Sequence, residues 1–421
     1  MAISSNASRL SNLLRAHSLF KATRSASRTH SLIPRSTPTS SPSIHSSHSA
    51  MSTLAGTTIP TTQTAAVVEK IGANIDIRNN VPVKKAAELA PGVGEIVAIG
   101  ENTANSPVKL GDRVGIKWLA NSCLDCEFCR KGNEMNCTNA QLSGYTVDGT
   151  FSQYVVSYVH HVSPIPKSLD SAAAASVLCA GVTVYKALKN SNTKVGDFIV
   201  IPGAGGGLGH LAVQYANAMG LRVIAVDTGA DKEKLVKSLG AEKWIDFRQT
   251  STLVEDIRAA TGGLGPHASL VVAAHSSAYE QAVDYLRPGG TLVVVGMPNA
   301  PIGANVFWTV YKTIKIVGSY VGNRQDAIEA LEIAASGKVK VHFQLKKLSD
   351  LKEVFDDMEH GKFAGLYSKK FSSAAFRERR THVSTNYRRL YVCREEKEVI
   401  NIQSMLVTCT SGTPTMFSSF V

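Results

Sequence analysis

Four cysteines lie close together in one short stretch of the chain. They follow the pattern CxxCxxCxxxxxxxC within fifteen residues and are Cys123, Cys126, Cys129 and Cys137. Four thiolates can coordinate one tetrahedral Zn²⁺, and four protein ligands make a closed, structural site. Two disulfides or a redox-active cysteine pair are the alternatives. Both are less favoured because the chain has seven cysteines, an odd number,.

A glycine cluster lies between an apolar segment and a helical pattern. Its members are Gly203, Ala204, Gly205, Gly206, Gly207, Leu208 and Gly209. The cluster follows the apolar run FIVIP at Phe198–Pro202 and fits AxGxxG, not GxGxxG. Positions without a side chain let the backbone approach a pyrophosphate, whose charge is met by the helix N-terminus. The cluster therefore predicts a dinucleotide site.

An acidic residue follows at the distance that such a site requires. Asp227 ends the next apolar segment, 18 residues after Gly209. A carboxylate there can accept hydrogen bonds from both ribose hydroxyls and would repel a 2′-phosphate, so NAD is favoured over NADP. The alternative, a glycine-rich turn followed by a solvated aspartate, is less favoured in a series of strand–helix units.

Short apolar segments alternate with helical patterns over the middle of the chain. After Phe198–Pro202, the apolar segments are LRVIAVD (221–227), SLVVAA (269–274), GGTLVVVG (289–296) and TIKIVGSYV (313–321). This alternation is typical of βαβ units in a parallel sheet. The predicted fold class is α/β, with a Rossmann-type, doubly wound parallel sheet in a domain over residues 182–322.

Length and charge exclude several classes of protein. The 421 residues predict two or three domains, and no apolar run approaches the roughly 20 residues of a membrane span,. The net charge of +12 is concentrated at the ends: residues 1–50 carry +6, residues 372–421 carry +3, and the body between them carries only +3. Because the body has no basic stripe with interleaved aromatics, no nucleic-acid partner is expected.

The two ends of the chain differ in composition from the body. Residues 1–50 are rich in Ser and Arg, lack acids and begin with an amphipathic helical pattern. This composition is typical of a transit peptide and predicts the mitochondrial matrix, with a disordered leader as the alternative. Met51 is a possible second start, which would leave a cytoplasmic form. Residues 372–421 lose apolar periodicity and are expected to be disordered.

Six segments resemble those of one enzyme family. They are GIKWLANSCLDCEFCRKGNEMNC (115–137), LSGYTVDGTFSQY (142–154), VLCAGVTVYKALK (177–189), GAGGGLGHLAVQYANAMG (203–220), VVVGMP (293–298) and GSYVGNR (318–324). They resemble the zinc-dependent alcohol dehydrogenases of the medium-chain dehydrogenase/reductase family, most nearly the fungal type. The resemblance covers the chain from about residue 65 to about residue 365.

The resemblance implies the remaining domains and the ligands. A GroES-like, mostly β catalytic domain would occupy residues 62–181, with the structural zinc loop at 115–140 and a C-terminal part at 323–371. The active site would lie in the cleft between this domain and the NAD domain. NAD and Zn²⁺ are the implied cofactors, and a small alcohol or aldehyde is the implied substrate. Similar enzymes are commonly homotetramers.

Individual residues match the family's functional positions. Cys179 matches the last ligand of the catalytic zinc, beside the nicotinamide. Asp227 and Lys232 match the adenosine-ribose contacts, and Arg324 matches the arginine that meets the pyrophosphate. The remaining matches to cofactor contacts are Thr183, Val295, Gly296 and Met297, of which Val295 and Met297 line the nicotinamide side.

Two motifs of the family are missing from this chain. They are GxCHTD and GHE, which supply the first cysteine and the histidine ligand of the catalytic zinc and the proton relay. Here VPVKKAAELAPG (81–92) runs straight into VGEIVAIGENT (93–103), and residues 51–122 contain no His or Cys. A catalytic zinc needs three protein ligands and an open position, so Cys179 cannot hold it alone. We expect an incomplete first domain with exposed strand edges, as in a gene model with a skipped exon or in a degraded copy.

Three functions remain open at this point. The first is an alcohol dehydrogenase that transfers a hydride to NAD, which the resemblance favours. The second is a nucleotide-binding protein with structural zinc and no turnover, which the missing ligands favour. The third is a zinc-free NADPH reductase of the wider family, which the four cysteines and Asp227 disfavour. His160, His161 and His210 have no partner ligands at metal spacing and are expected at the surface or in caps.

Overall fold

The structure is a computed structural model of the chain. It describes residues 52–53, 62–67, 76–82, 92–100, 103, 105–152, 154–346, 350, 352–354, 356, 366–370, 389–393 and 399–401. The predicted transit peptide at residues 1–50 lies outside the described residues. The junction between Gly92 and Val93, where the family segment is expected to be missing, lies where the described residues resume after a gap at 83–91.

Short strands dominate the first part of the chain. They are β1 (Ser52–Thr53), β2 (Thr62–Val67), β3 (Asp76–Pro82), β4 (Gly92–Ile99), β5 (Arg113–Ile116), β6 (Leu119–Asn121), β7 (Gln141–Leu142), β8 (Tyr154–Tyr158) and β9 (Ser163–Pro164). One helical turn, α1 (Glu127–Arg130), interrupts them. A continuous helical stretch then joins this part to the next and consists of α2 (Ser171–Ser176), a π-helical turn (Val177–Gly181) and α3 (Val182–Asn190).

Strands and helices alternate through the middle of the chain. The strands are β10 (Phe198–Pro202), β11 (Arg222–Asp227), β12 (Lys243–Asp246), β13 (Ala268–Val271), β14 (Thr291–Val294) and β15 (Lys315–Gly318). The helices are α4 (Gly207–Ala218), α5 (Ala230–Ser238), α6 (Leu253–Ala260), α7 (Ser277–Tyr285), α8 (Val306–Tyr311) and α9 (Arg324–Ala335).

The six middle strands form one parallel sheet in the order β12-β11-β10-β13-β14-β15. This order confirms the predicted doubly wound α/β sheet. Strands β10 and β13 are buried almost throughout, because helices cover both faces of the sheet,. The direction of winding reverses between β10 and β13, and ligands of such sheets bind beyond the carboxyl ends of the strands at that point.

The last strands of the chain join the first ones in a nine-stranded sheet. They are β16 (Phe343–Lys346), β17 (Leu366–Lys370), β18 (Arg389–Cys393) and β19 (Val399–Asn401). The main path of the sheet is β16-β17-β19-β4-β18-β8, and β1, β5 and β9 attach beside β4 and β5. The first domain is thus a β structure assembled from both ends of the chain.

The expectation of a disordered C-terminal tail is wrong for the part of it that the structure describes. Strand β18 pairs antiparallel with both β4 and β8, and β19 pairs with β17 and β4. The first domain was expected to have exposed strand edges, and the tail covers one edge of β4 and one edge of β8. Backbone pairing with existing strands orders these segments, and β18 has the sequence RLYVC, which contains the strand-favouring residues tyrosine and valine,.

One helical stretch, at Ser171–Asn190, is long and apolar enough to cross a membrane by length and composition. However, 78% of it is buried inside the protein, which is the position of a core helix. Asp170 caps its start by accepting hydrogen bonds from the backbone N–H groups of Ala172 and Ala173,. The stretch contributes to the core shared by the two domains.

Candidate functional site

The loop between β6 and β7 brings the four predicted zinc ligands together. The ligand atoms of Cys123, Cys126, Cys129 and Cys137 all lie within 4.8 Å of one another. The Sγ atom of Cys123 is 3.5 Å from that of Cys137 and 3.9 Å from that of Cys129. Tetrahedral zinc with Zn–S bonds of about 2.3 Å separates its sulfurs by about 3.8 Å, so the set fits one zinc ion.

Backbone N–H groups of the loop stabilise thiolates. Those of Asp125 and Cys126 lower the pKa of the Cys123 thiol to about 6. The N–H groups of Cys123 and Asn139 also point at the sulfur of Cys137, at 3.5 Å and 3.4 Å. Burial raises the pKa of the Cys129 thiol, so a metal would have to drive its deprotonation,. The four cysteines of this loop form no disulfide.

The cysteine loop is docked against the start of helix α9. Arg324 donates through Nε to the carboxylate of Glu134, which is 3% exposed, and through Nη1 to the carbonyl of His160 at 3.3 Å. The amide of Asn323 donates to the carbonyl of Gly132 at 2.8 Å. Arg324, predicted to meet the pyrophosphate, is thus held by Glu134 of the cysteine loop and by the carbonyl of His160.

A buried lysine lies under the same loop. Lys117 donates to the carbonyl of His161 and, at 3.2 Å, to the hydroxyl of Ser163. Burial lowers the pKa of Lys117 to about 8, and Glu134 partly offsets this effect. His161 is also buried, bonds Ser122 at 3.0 Å and has its pKa lowered to about 3, mainly by burial. The expectation that His161 lies at the surface is therefore wrong.

The glycine cluster forms a tight turn from β10 into α4. Gly203 has a φ of +86°, which favours glycine,. A Cβ on Gly209 would lie 2.0 Å from the carbonyl oxygen of Gly203, so only glycine lets the helix pack this closely on the strand. The turn, which contains Ala204, Gly206, Gly207 and Leu208, offers the bare backbone that a pyrophosphate requires.

Asp227 lies against this turn at the carboxyl end of β11. Its carboxylate accepts hydrogen bonds from the N–H of Gly205 at 2.9 Å and of Thr228 at 2.8 Å. Lys232 forms an ion pair with it at 3.1 Å. A Cβ on Gly205 would lie 2.5 Å from the Lys232 side chain, so the turn, the aspartate and the lysine form one contact group. The structure thus brings these three predicted residues together.

The other predicted cofactor residues lie at the same end of the sheet. Val295 and Gly296 directly follow β14 and donate through their N–H groups to the carbonyl of Val271, at 3.3 Å and 3.0 Å. Met297 follows them and is half-buried. Thr183, in the first turn of α3, donates its hydroxyl to the carbonyl of Cys179 at 2.7 Å.

A contact between the turn and the last part of the chain was not predicted. His210 is fully buried, so it is not a surface residue; its Nδ1 lies 3.1 Å from the carbonyl of Gly206, and its Nε2 accepts from the N–H of His342 at 3.3 Å. Gln214 bonds both backbone groups of Lys340, at 2.7 Å and 2.9 Å. His210 and Gln214 are four residues apart on α4, which places both polar side chains on one helix face. This spacing could have predicted the contact.

Cys179 lies in the π-helical turn, a distortion often found at functional sites,. Burial is the main cause of the raised pKa of the Tyr320 hydroxyl, and the nearby sulfur of Cys179 also raises it. Trp118 donates to that hydroxyl at 2.6 Å. Among the residues that the structure describes, the four-cysteine loop is the only group of three or more candidate ligands, so Cys179 joins none.

Comparison with known proteins matches both halves of this architecture. Residues 57–167 match the alcohol dehydrogenase GroES-like domain, and residues 207–336 match the zinc-binding dehydrogenase domain. An alcohol dehydrogenase of Schizosaccharomyces pombe is 49% identical over 275 residues, which are 65% of this chain and 78% of that protein. The chain belongs to the zinc-binding alcohol dehydrogenase family.

Two further relatives of this alcohol dehydrogenase family are informative. Alcohol dehydrogenase 1 of Neurospora crassa is 51% identical over 278 residues, 66% of this chain and 78% of that protein. The crystal structure of the alcohol dehydrogenase from Aeropyrum pernix superimposes with a TM-score of 0.65 at 24% identity, over 72% of this chain and 98% of that one. The second comparison supports the fold alone. The predicted family, its GroES-like domain and its Rossmann-type domain are confirmed.

Proposed function

We propose that this alcohol dehydrogenase chain binds NAD(H) over the glycine turn and takes a small primary alcohol or its aldehyde. The contact between Asp227 and the N–H of Gly205 supports this most directly, because it joins a ribose acceptor to the pyrophosphate cradle,. The backbone of the turn and the start of α4 would receive the pyrophosphate. Asp227 would accept from the ribose hydroxyls. Bound NAD supplies the acceptor for a hydride from the alcohol carbon.

The choice of NAD over NADP is tested at Asp227. Replacing it (Asp227→Gly) should raise the Kd for NADH by about tenfold or more, since hydrogen bonds to a charged group contribute roughly 1.5–3 kcal/mol. The variant should also lose the repulsion of a 2′-phosphate. Titration of each protein with NADH and NADPH, followed by nicotinamide fluorescence, measures both effects.

Asp246 provides the matched control. It ends the neighbouring strand β12 directly opposite Asp227 in the ladder. Asp246→Asn removes a carboxylate one strand farther from the glycine turn and should leave the preference for NADH unchanged. Equal affinity of the unmodified protein for NADH and NADPH would contradict the proposed role of Asp227.

We further propose that catalysis by this chain is impaired, because its catalytic zinc lacks ligands. Among the described residues, Cys179 belongs to no group of three or more candidate metal ligands, and the GxCHTD and GHE motifs are missing from the sequence. The match to the Schizosaccharomyces pombe relative covers 78% of that protein, which is consistent with a lost segment. A skipped exon with a run-on terminus, or a degraded copy, would account for both the missing motifs and the unrelated C-terminal tail.

We propose that the protein is a homo-oligomer that associates through helix α8. This helix exposes Val306, Phe307, Val310 and Tyr311, each between 64% and 76% exposed. It precedes β15, the last strand of the parallel sheet, and no other described strand pairs with the outer edge of β15. An exposed apolar patch beside an open strand edge favours pairing with a second copy.

A charge on this face should dissociate the oligomer. Phe307→Glu should shift the molar mass measured by light scattering from oligomer to monomer at micromolar concentration, because burying an unpaired carboxylate is unfavourable. Val195→Glu is the control, since Val195 is 82% exposed and lies apart from the α8 face. A monomeric unmodified protein, or an unchanged Phe307→Glu oligomer, would contradict the assignment.

We propose that residues 1–50 direct the protein to the mitochondrial matrix. The support is compositional: six basic residues, no acidic residue and an amphipathic start,. A reporter fused to residues 1–50 should enter mitochondria, and replacing Arg9 and Arg15 with Glu should abolish import, as seen by cell fractionation. If the intact segment leaves the reporter in the cytosol, the assignment is wrong and Met51 becomes the relevant start.

A further inference from the structure

Strand β4 has two long edges, and the C-terminal segment occupies one of them. On the first edge β4 pairs with β5 over Gly92–Glu95 and with β1 at Ala98 and Ile99. On the second edge β18 pairs with Glu95 to Ile99, and β19 pairs with Gly92. Within the described part of the chain, the second edge of β4 has no other partner strand.

Strand β8 depends on the same segment. All five residues of β18 pair with β8, from Arg389 opposite Tyr158 to Cys393 opposite Tyr154. No other described strand forms a ladder with β8. Removing β18 would therefore leave a gap one strand wide between β4 and β8, and β8 would be detached from the sheet.

The burial of the flanking strands indicates that this gap belongs to the core of the domain. Strand β4 has the sequence GVGEIVAI and is buried on both faces except at Glu95 and Ile99, a pattern typical of an interior strand,. Ile96 of β4 and Val155 of β8 belong to the same apolar cluster and are 0% and 4% exposed. A sheet with these two strands needs a third one between them.

We propose that the gap between β4 and β8 is a strand-acceptor site, and that β18 (residues 389–393) of the same chain is its built-in occupant, with β19 (399–401) pairing farther along β4. Strand addition of this kind relies on main-chain hydrogen bonds, which any sequence except proline can supply. A segment unrelated to the family can therefore complete the domain. This inference depends on the proposed function in one respect, since the proposed loss of a family segment explains how the gap arose. The strand pairing itself does not depend on that loss.

A proline in β18 tests the backbone pairing in the full-length protein. Tyr391→Pro removes one N–H donor from the middle of an interior strand and should speed hydrogen exchange of the β4 and β8 amides about tenfold or more. Tyr391→Thr keeps the donor and suits a strand, so it should exchange like the unmodified protein. The amides of α4 serve as an internal reference. Unchanged protection of β4 and β8 in Tyr391→Pro would overturn the proposal.

A disulfide tests the position of the segment even if the proline variant fails to fold. Glu95 lies directly opposite Cys393, a separation that suits a disulfide,. Mild oxidation of Glu95→Cys should link residues 95 and 393 within one chain, as seen by mass spectrometry after proteolysis. The double variant Glu95→Cys, Cys393→Ser is the control and should give no link. A link between two chains would mean that a second copy supplies the strand, which overturns an intramolecular occupant.

The same samples separate this inference from the proposed function. NADH titration and zinc content are measured on the Glu95→Cys protein before oxidation. A 95–393 link in a protein that does not bind NADH would support the strand-acceptor site and refute the proposed cofactor site. NADH binding without the link would refute the strand-acceptor site alone.

Discussion

Purified protein should contain about one zinc ion per chain, held by the four-cysteine loop. Cys126→Ser should lose that zinc, because three thiolates and a hydroxyl make a much poorer tetrahedral site. Structural zinc contributes about 10–16 kcal/mol of apparent binding free energy in small zinc domains, so its loss should lower the free energy of unfolding by several kcal/mol. Elemental analysis and thermal unfolding measure the two effects.

Cys179→Ser is the matched control for the zinc experiment. It removes a cysteine that belongs to no described ligand group, and it should leave the zinc content near one per chain. Loss of zinc from Cys126→Ser should also loosen the contact of Glu134 with Arg324, since both lie where the cysteine loop docks on α9. Two tightly held zinc ions per chain in the unmodified protein would contradict the proposed loss of the catalytic site.

Oxidation of ethanol by NAD should be negligible in this chain. The reaction requires a metal to stabilise the alkoxide and a relay to remove its proton, and the chain lacks the GxCHTD and GHE motifs that the resemblance assigns to these tasks,. Metal stabilisation of this kind is worth several kcal/mol, so the rate should fall by about a thousandfold or more relative to a complete enzyme. The formation of NADH, followed by its absorbance, measures turnover.

Restoring the missing segment should restore activity. A version with a GxCHTD and GHE segment between Gly92 and Val93 should be active, whereas one with an equally long segment lacking the cysteine and histidines should not. Sequencing the messenger across this junction determines whether such a product is made. Robust zinc-dependent turnover by the chain without the segment would mean that histidines dismissed as ligands, such as His160 or His161, reach a metal. It would refute the proposed impairment.

The parallel sheet and the zinc loop were readable from local sequence for simple physical reasons. Strands buried on both faces, such as β10, are continuous apolar runs, and the glycine after them is forced by the positive φ at Gly203,. The four cysteines are close in sequence, so the loop between them can fold without help from the rest of the chain. The position of Asp227 could be predicted because it is the last residue of the apolar run that forms β11.

The missed features all depend on partners distant in sequence. Strand β18 is ordered by pairing with β4 and β8, which lie far upstream in the sequence, and an apolar run of only five residues does not reveal that pairing. His210 is buried where the segment containing Lys340 and His342 packs against α4, and Arg324 is held by its contact with Glu134. Such contacts are decided by tertiary packing, which local periodicity does not record.

The arrangement of the nine-stranded sheet has a consequence for synthesis on the ribosome. Strand β18 follows β4 by roughly 290 residues, so at about 5–20 residues per second the open edge of β4 waits roughly 15–60 seconds for its partner. During that interval an apolar strand with free N–H and C=O groups is accessible to other nascent chains. The yield of folded protein should therefore depend on translation speed and on chaperones that shield strand edges.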